Sequence, residues 1–151
     1  MMMKFSEDTK KYLKKYGWSE SRKIDTLKYE KKYQEEGYLI FDKALEVLSN
    51  FGDLRFSIPE KPIGTTTLHF DVIKTVEDNF KENVEFYESK IGEALLPIGE
   101  AYRDYFMIML SESGKMYGAF DFTLRKEGDT FEEGIEALIY CLLYTSPSPR
   151  D

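Results

Sequence analysis

Carboxylates are the most abundant side chains in this sequence that could perform chemistry. The chain has 28 Asp and Glu residues among 151, but only one histidine, His69, and one cysteine, Cys141. Acid–base catalysis needs a carboxyl group that is desolvated inside a cleft. Most of the carboxylates here fall on the polar sides of amphipathic patterns. We therefore predict that they are solvated surface groups.

His69 gives little support for a catalytic or metal site. It lies between Leu68 and Phe70, on the opposite face of a predicted strand, and we interpret it as a partly exposed structural histidine. A nucleophilic Ser or Cys needs a basic partner, and no motif assigns His69 that role. The sequence also lacks a zinc-type Cys/His cluster, a calcium loop and a Walker-type phosphate loop.

These observations predict a protein without enzymatic activity, metal or cofactor. The weaker alternative is an enzyme that uses scattered carboxylates. A pocket lined by two convergent buried carboxylates would favour that alternative.

Length and composition predict one folded domain. Of the 151 residues, 42% are hydrophobic and 15% aromatic, which is too many for a disordered chain. No apolar run approaches the roughly 20 residues of a membrane span, and residues 1–4 do not lead into a signal-peptide core. A single cysteine excludes an intrachain disulfide. We expect a cytoplasmic protein that does not bind membranes.

The charge is unevenly distributed. Residues 1–32 contain 10 Lys and Arg but 5 Asp and Glu, whereas the whole chain has a net charge of −7, so the body is strongly acidic. A nucleic-acid-binding protein normally carries basic residues across its binding surface, and we predict no direct nucleic-acid binding. The basic segment is interpreted as a solvated lysine face. The acidic body could attract a basic protein partner.

Hydrophobic periodicity predicts three helices at the start of the chain, over about residues 6–17, 25–37 and 42–52. Ser6 and Asp25 are suited to accept hydrogen bonds at the starts of the first two helices. Gly17 suits the left-handed stop that follows a helix.

The rest of the chain alternates between strand and helix patterns. Strands are predicted at residues 54–58, 66–71, 105–110 and 116–122, and residues 94–98 are expected to be an edge strand or an irregular extended piece because they contain Pro97. One amphipathic helix is predicted over residues 73–91, and a last helix follows the capping-box pattern at 130–133. This order predicts an α+β domain with helices packed on a mainly antiparallel sheet.

Residues 141–151 do not continue the preceding pattern. They read Cys-Leu-Leu-Tyr-Thr-Ser-Pro-Ser-Pro-Arg-Asp, and codons for this string resemble a transposase adapter used in sequencing libraries. We predict a native domain over residues 1–140 and a non-native tail from adapter read-through over 141–151. The ordinary alternative is a flexible Pro/Ser tail.

Several short motifs occur in a characteristic order. They are Phe5-Ser6, Gly17-Trp18, Phe51-Gly52-Asp53-Leu54, Ile91-Gly92, Leu96-Pro97-Ile98-Gly99, Gly114-Lys115-Met116-Tyr117 and Gly128 before the last helix. Together they resemble the SUKH superfamily of bacterial immunity proteins, specifically its third family, over about residues 5–140. One departure is Asp53, where the family usually has a second glycine after Phe-Gly.

The resemblance implies an α+β fold without enzymatic activity and a role in polymorphic toxin systems. In those systems such a protein binds a cognate toxin domain, often a nuclease or a nucleic-acid deaminase, and protects the producing cell. The alternative is a SUKH-like interaction or regulatory domain without a toxin partner. We interpret Trp18 as a core side chain rather than a toxin contact, and the motif glycines as parts of fold-defining turns.

Charge also suggests a partner-binding surface, which we predict on the acidic side of the 73–91 helix, with Asp53 as an additional carboxylate. The predicted contact residues are Asp53, Glu77, Asp78, Glu82, Glu85 and Glu88. A charged outer surface is also typical of any exposed helix, so the alternative is plain solvation.

Overall fold

The computed structural model describes residues 3–60 and 64–143, which form six α-helices and six β-strands. The helices are α1 (Glu7–Lys14), α2 (Leu27–Glu35), α3 (Asp42–Phe51), α4 (Val72–Asp78), α5 (Lys81–Ile91) and α6 (Phe131–Leu143). The strands are β1 (Arg55–Glu60), β2 (Gly64–His69), β3 (Leu95–Ala101), β4 (Phe106–Ser111), β5 (Met116–Phe120) and β6 (Thr123–Gly128). Of the predicted tail, residues 144–151 lie outside the described residues. The boundary at residue 140 stays a prediction.

All six strands form one sheet in their chain order, and each neighbouring pair is antiparallel. The predicted α+β class, with helices packed on an antiparallel sheet, is confirmed. None of the helices in the described part of the chain has the length and apolar composition of a membrane span.

Local hydrogen bonds explain where several helices begin. The Ser6 hydroxyl accepts the N–H of Thr9 at 3.2 Å, so the predicted cap of α1 is confirmed. At α6, the Thr130 hydroxyl accepts the N–H of Glu133 at 3.1 Å, as a capping box requires. The Glu133 carboxylate reaches one residue further back than predicted and accepts the N–H of Asp129 at 3.1 Å.

The main core is built around the ring of Phe51 at the end of α3. Its ring centroid lies 4.9 to 6.2 Å from five other aromatic rings, which belong to Phe5, Trp18, Phe56, Phe70 and Phe131. Rings at these separations and tilts attract one another beyond the apolar area they bury. Trp18 is buried among them, which confirms its predicted core position.

Helix α6 connects the two edges of the sheet, because it contacts both β1 and β6. These are the first and last strands in the order, so the sheet curves around the helix. Phe131, Ile135, Leu138 and Ile139 supply its buried side. This contact buries the apolar side that the sequence predicted for the last helix.

The predicted single helix over residues 73–91 is wrong, because the structure divides it into α4 and α5. Asn79 has an extended backbone, with φ −125° and ψ 129°. Its side-chain amide donates to the carbonyl of Thr75 at 2.8 Å, the acceptor that its own N–H would use in a continuous helix. Val76, Val84 and Tyr87 of the predicted apolar side are buried, but Phe80, next to the break, is 73% exposed, so the predicted apolar spacing is correct only in part.

The prediction of an edge or irregular piece at residues 94–98 is also wrong. This segment is part of β3, a central strand in which Leu95–Ala101 is buried throughout. Pro97 is tolerated because the register with β4 shifts between Pro97 and Gly99. At such a bulge not every residue has to donate an N–H to the neighbouring strand, and proline has none to donate.

One predicted strand, at residues 116–122, ends too late. Strand β5 stops at Phe120, and Asp121 and Phe122 form a tight turn with φ of 48° and 64° before β6. Strand β6 was missed because its residues, Thr-Leu-Arg-Lys-Glu-Gly, are mostly polar and three of the six are exposed. The strand is set by its pairing with β5, which periodicity alone does not reveal.

We predict that replacing Asn50 will destabilise the fold strongly. Its side chain accepts the indole N–H of Trp18 at 2.7 Å and donates to the carbonyls of Ser19 and Arg22 at 3.2 and 2.9 Å. Asn50→Leu leaves these buried or partly buried groups without partners and should lower the free energy of unfolding by about 2 to 4 kcal/mol in urea denaturation. The neighbouring Ser49→Ala is the control and should change it by about 0.5 kcal/mol or less. Equal effects of the two variants would contradict this role of Asn50.

Candidate functional site

The predicted acidic surface is divided by the break between α4 and α5. Glu77 and Asp78 end α4, whereas Glu82, Glu85 and Glu88 belong to α5. Asp53 does not join them, because it follows α3 and pairs with Lys28 of α2 at 2.5 Å. Its positive φ of 66° fits a position where glycine would be the unstrained residue.

Most of these carboxylates already have a partner inside the molecule. Glu77 pairs with Lys32 at 3.1 Å, Asp78 with Lys74 at 2.5 Å and Glu85 with Lys81 at 2.8 Å. Exposed pairs of this kind contribute little stability, but they reduce the negative charge that a partner meets. The surface is therefore less acidic than the sequence alone indicated.

Glu88 and Glu82 differ from the paired carboxylates. The Glu88 carboxylate accepts the N–H of Leu95 at 2.9 Å and so positions the start of β3. Glu82 is exposed and makes no ion pair within residues 3–60 and 64–143. Glu82 is thus a carboxylate of the predicted surface that has no ion pair in the described part of the chain, whereas Glu85 is paired with Lys81 but stays 54% exposed.

The structure also brings together a buried polar cluster that sequence reasoning missed. His69 in β2 and Glu100 in β3 pair directly in the sheet, and each side chain is only 1% exposed. The prediction of a partly exposed histidine is therefore wrong, since β3 and the segment after it cover this face. Nε2 of His69 lies 3.1 Å from Glu100 and 3.2 Å from Asp104, and Lys74 lies 2.9 Å from Asp104 and 3.4 Å from Glu100.

Hydrogen bonds determine the tautomer of His69. Its Nδ1 accepts the backbone N–H of Asp71 at 3.0 Å, so that nitrogen carries no proton. The ring proton is then on Nε2, which donates toward Glu100 and Asp104. The second oxygen of Glu100 accepts from the Asn79 amide at 3.2 Å, so both oxygens of the buried carboxylate are satisfied.

The same cluster has the composition of a metal site but not its electrostatics. His69, Glu100 and Asp104 bring possible ligand atoms within 4.8 Å of one another. The Lys74 ammonium group already supplies a positive charge to both carboxylates, and metal binding at Nε2 would have to displace the His69 proton. The arrangement fits a structural network that holds β2, β3 and α4 together.

Lys74 and Asp104 also change each other's protonation. Hydrogen bonds to Asp78 and Asp104 raise the pKa of Lys74 well above its ordinary value. Partial burial opposes ionisation of Asp104, but the hydrogen bond and charge of Lys74 outweigh it and lower the Asp104 pKa below 3.8. Both groups are therefore charged at neutral pH.

Asp104 belongs to a strained loop between β3 and β4. Tyr102, Arg103 and Asp104 have consecutive φ values of 54°, 59° and 67°, in the left-handed region that L-residues other than Asn and Asp rarely adopt. The loop is held by the side chain of Asp104 and by a hydrogen bond from the Arg103 N–H to the hydroxyl of Thr66 at 3.0 Å. This geometry is over-determined by its neighbours, as strained segments at functional positions usually are.

The comparisons with known proteins identify the family. The SUKH-3 immunity protein family matches residues 5–141 of the chain. The chain belongs to this family. No curated protein and no solved structure matches the chain.

The family description and the exposure of the clustered carboxylates both bear on the alternative of an enzyme. A SUKH-3 protein is described as an immunity protein. In the described part of the chain, the cluster contains one buried carboxylate, Glu100, while Asp104 is 39% exposed. The pair of convergent buried carboxylates that would favour an enzyme is therefore not formed here. The sequence signal for the cluster was a single charged residue, Glu100, inside an apolar segment.

We predict that Lys74→Met will raise the pKa of Asp104, because it removes the cation that lowers it. Carbon-detected NMR titration of the carboxyl group should show this rise. Since the folded pKa lies below the unfolded value of 3.8, the pair stabilises the fold above that pH, and this stabilisation is lost as the pH falls through the folded pKa. Lys81→Met is the control, because Lys81 pairs with Glu85 rather than with Asp104. An unchanged Asp104 pKa in Lys74→Met would show that the pair is not formed in solution.

Proposed function

We propose that this SUKH-3 protein binds the toxin domain of a polymorphic toxin system in the cytoplasm of the producing cell and neutralises it by covering its active surface. The match to the immunity family over residues 5–141 carries this proposal, since it includes nearly the whole described chain. The protein acts as a binding partner and performs no catalysis. Its polar network is built to be satisfied internally rather than to bind substrate.

Charge supports a basic toxin domain as the partner. The chain has a net charge of −7, and Glu82 and Glu85 are exposed on α5. Nucleases and other nucleic-acid enzymes carry positive surfaces where they hold phosphates. An acidic protein associates faster with such a surface and is oriented by it during the encounter. Both effects become weaker as the salt concentration increases.

The proposal predicts protection in cells. A toxin domain encoded next to this gene should stop growth when expressed alone and should not do so when this full chain is co-expressed. The two proteins should also co-purify as a stable complex. The control is the same toxin domain with an unrelated acidic protein of similar size. Growth arrest despite normal levels of folded protein would contradict the immunity function and favour an interaction domain without a toxin partner.

We predict that charge reversal on α5 will slow toxin association. The variant is Glu82→Lys with Glu85→Lys, and Glu88 is kept because its carboxylate holds the N–H of Leu95. We expect an association rate about tenfold lower at low salt and a weaker salt dependence, measured by surface plasmon resonance.

The matched control for this reversal is Glu46→Lys with Glu112→Lys. Both residues are exposed on other parts of the molecule, and the double change alters the net charge equally. If the two double variants slow association equally, overall charge and not the α5 surface is responsible. If neither does, the acidic surface takes no part in the encounter.

A further inference from the structure

Two hairpin ends lie side by side at one end of the sheet. Residues 102–105 connect β3 to β4, and residues 121–122 connect β5 to β6. The register places the last pairs of the two hairpins, Ala101 with Phe106 and Phe120 with Thr123, in adjacent positions. The ring centroids of Phe106 and Phe120 are 6.3 Å apart, which confirms that the two ends are neighbours. We call these two connections the paired tips.

Backbone strain is concentrated in the paired tips. Six non-glycine residues in the described part of the chain have positive φ, and five of them lie here. Phe122 is the least expected of these, because a turn with two positive φ values favours Asn-Gly or Asp-Gly. Glycine at this position would remove the strain, so the turn itself does not require a phenylalanine.

Packing in the core does not require the phenylalanine either. Phe122 is 66% exposed and Tyr105, in the neighbouring tip, is 76% exposed. Phe120 is exposed as well, and the ring of Phe122 contacts the partly exposed ring of Phe86 on α5 at 5.9 Å. Tyrosine and phenylalanine side chains that form an exposed cluster are typical anchors of protein interfaces.

The first of the paired tips, residues 102–105, is also held in place from the sheet. Asp104 bonds to His69 and Lys74, and the N–H of Arg103 bonds to Thr66. A binding loop that is fixed before association loses less conformational entropy on binding. The buried polar cluster thus acts as the support of this surface rather than as a site of its own.

We propose that the paired tips, together with Phe86, form the apolar centre of the toxin-binding surface, and that Glu82 and Glu85 on α5 form its acidic rim. The contact between Phe86 and Phe122 makes the two parts continuous. The partner that fits this surface is a protein domain with an apolar contact patch and a basic border. A second copy of this chain fits less well, because two acidic rims would face each other in a protein of net charge −7. This inference rests on the proposed function and names the surface that performs it.

The decisive variant is Phe122→Gly, because its effects on stability and on binding have opposite signs. Asp-Gly is a favoured pair in this type of turn, so the melting temperature should stay equal or rise. Removal of the ring should weaken binding to the toxin domain about tenfold or more in calorimetry. Tyr105→Ala should weaken it in the same direction without loss of stability.

Leu39→Ser is the matched control. Leu39 is 60% exposed and lines a shallow cleft beside Gly92 and Ala94, which precede β3 at its other end. The Leu39→Ser protein should bind the toxin domain with unchanged affinity. Phe122→Gly and Tyr105→Ala proteins that bind within twofold of the wild type overturn the inference but leave the immunity function intact.

Two further outcomes separate the alternatives. A wild-type protein that binds no toxin domain, while the toxin is active, overturns the proposed function and this inference together. Sedimentation velocity tests whether a second copy of this chain binds the surface instead. A wild-type dimer that becomes a monomer in Phe122→Gly assigns the surface to self-association and also overturns the inference.

Discussion

The need to satisfy one buried carboxylate, Glu100, organises much of this structure. Its donors are the ring of His69, the ammonium group of Lys74 and the amide of Asn79. A buried charge without such donors would destabilise the fold by several kcal/mol, so the fold requires these contacts. They join β2 to β3, and the amide that reaches Glu100 is the one that ends α4. The loop between β3 and β4 is attached to the same cluster through Asp104.

The parts of the fold that follow local rules could be predicted from the sequence. Ser6 and Thr130 begin helices where expected, because capping depends on residues three positions apart. Three of the errors come from pairing between distant parts of the chain. The break at Asn79 depends on the hydrogen bond of its side chain to Glu100. Pro97 can lie in a central strand because a bulge forms opposite β4. His69 is buried by β3, whose Glu100 lies 31 residues later in the chain. Periodicity contains none of this information.

The candidate site was predictable in composition but not in arrangement. The sequence shows which residues are acidic, yet only the folded chain shows that Lys32, Lys74 and Lys81 neutralise part of that surface. The aromatic cluster was missed because Phe120 and Phe122 fit the alternation of a strand, in which residues two apart lie on the same side and would be buried together. The structure instead ends the strand between them, and it leaves both rings exposed, with Phe122 in a backbone conformation of positive φ.

The contact of α6 with both β1 and β6 has a consequence for how the chain folds during synthesis. The first strand is translated long before the helix that completes its environment, and contacts of such sequence separation form slowly. Until α6 leaves the ribosome, the apolar surface of the curved sheet stays open to water and to other chains. We therefore expect chains that stop before Ile139 to expose this apolar surface and to aggregate rather than to form a smaller domain.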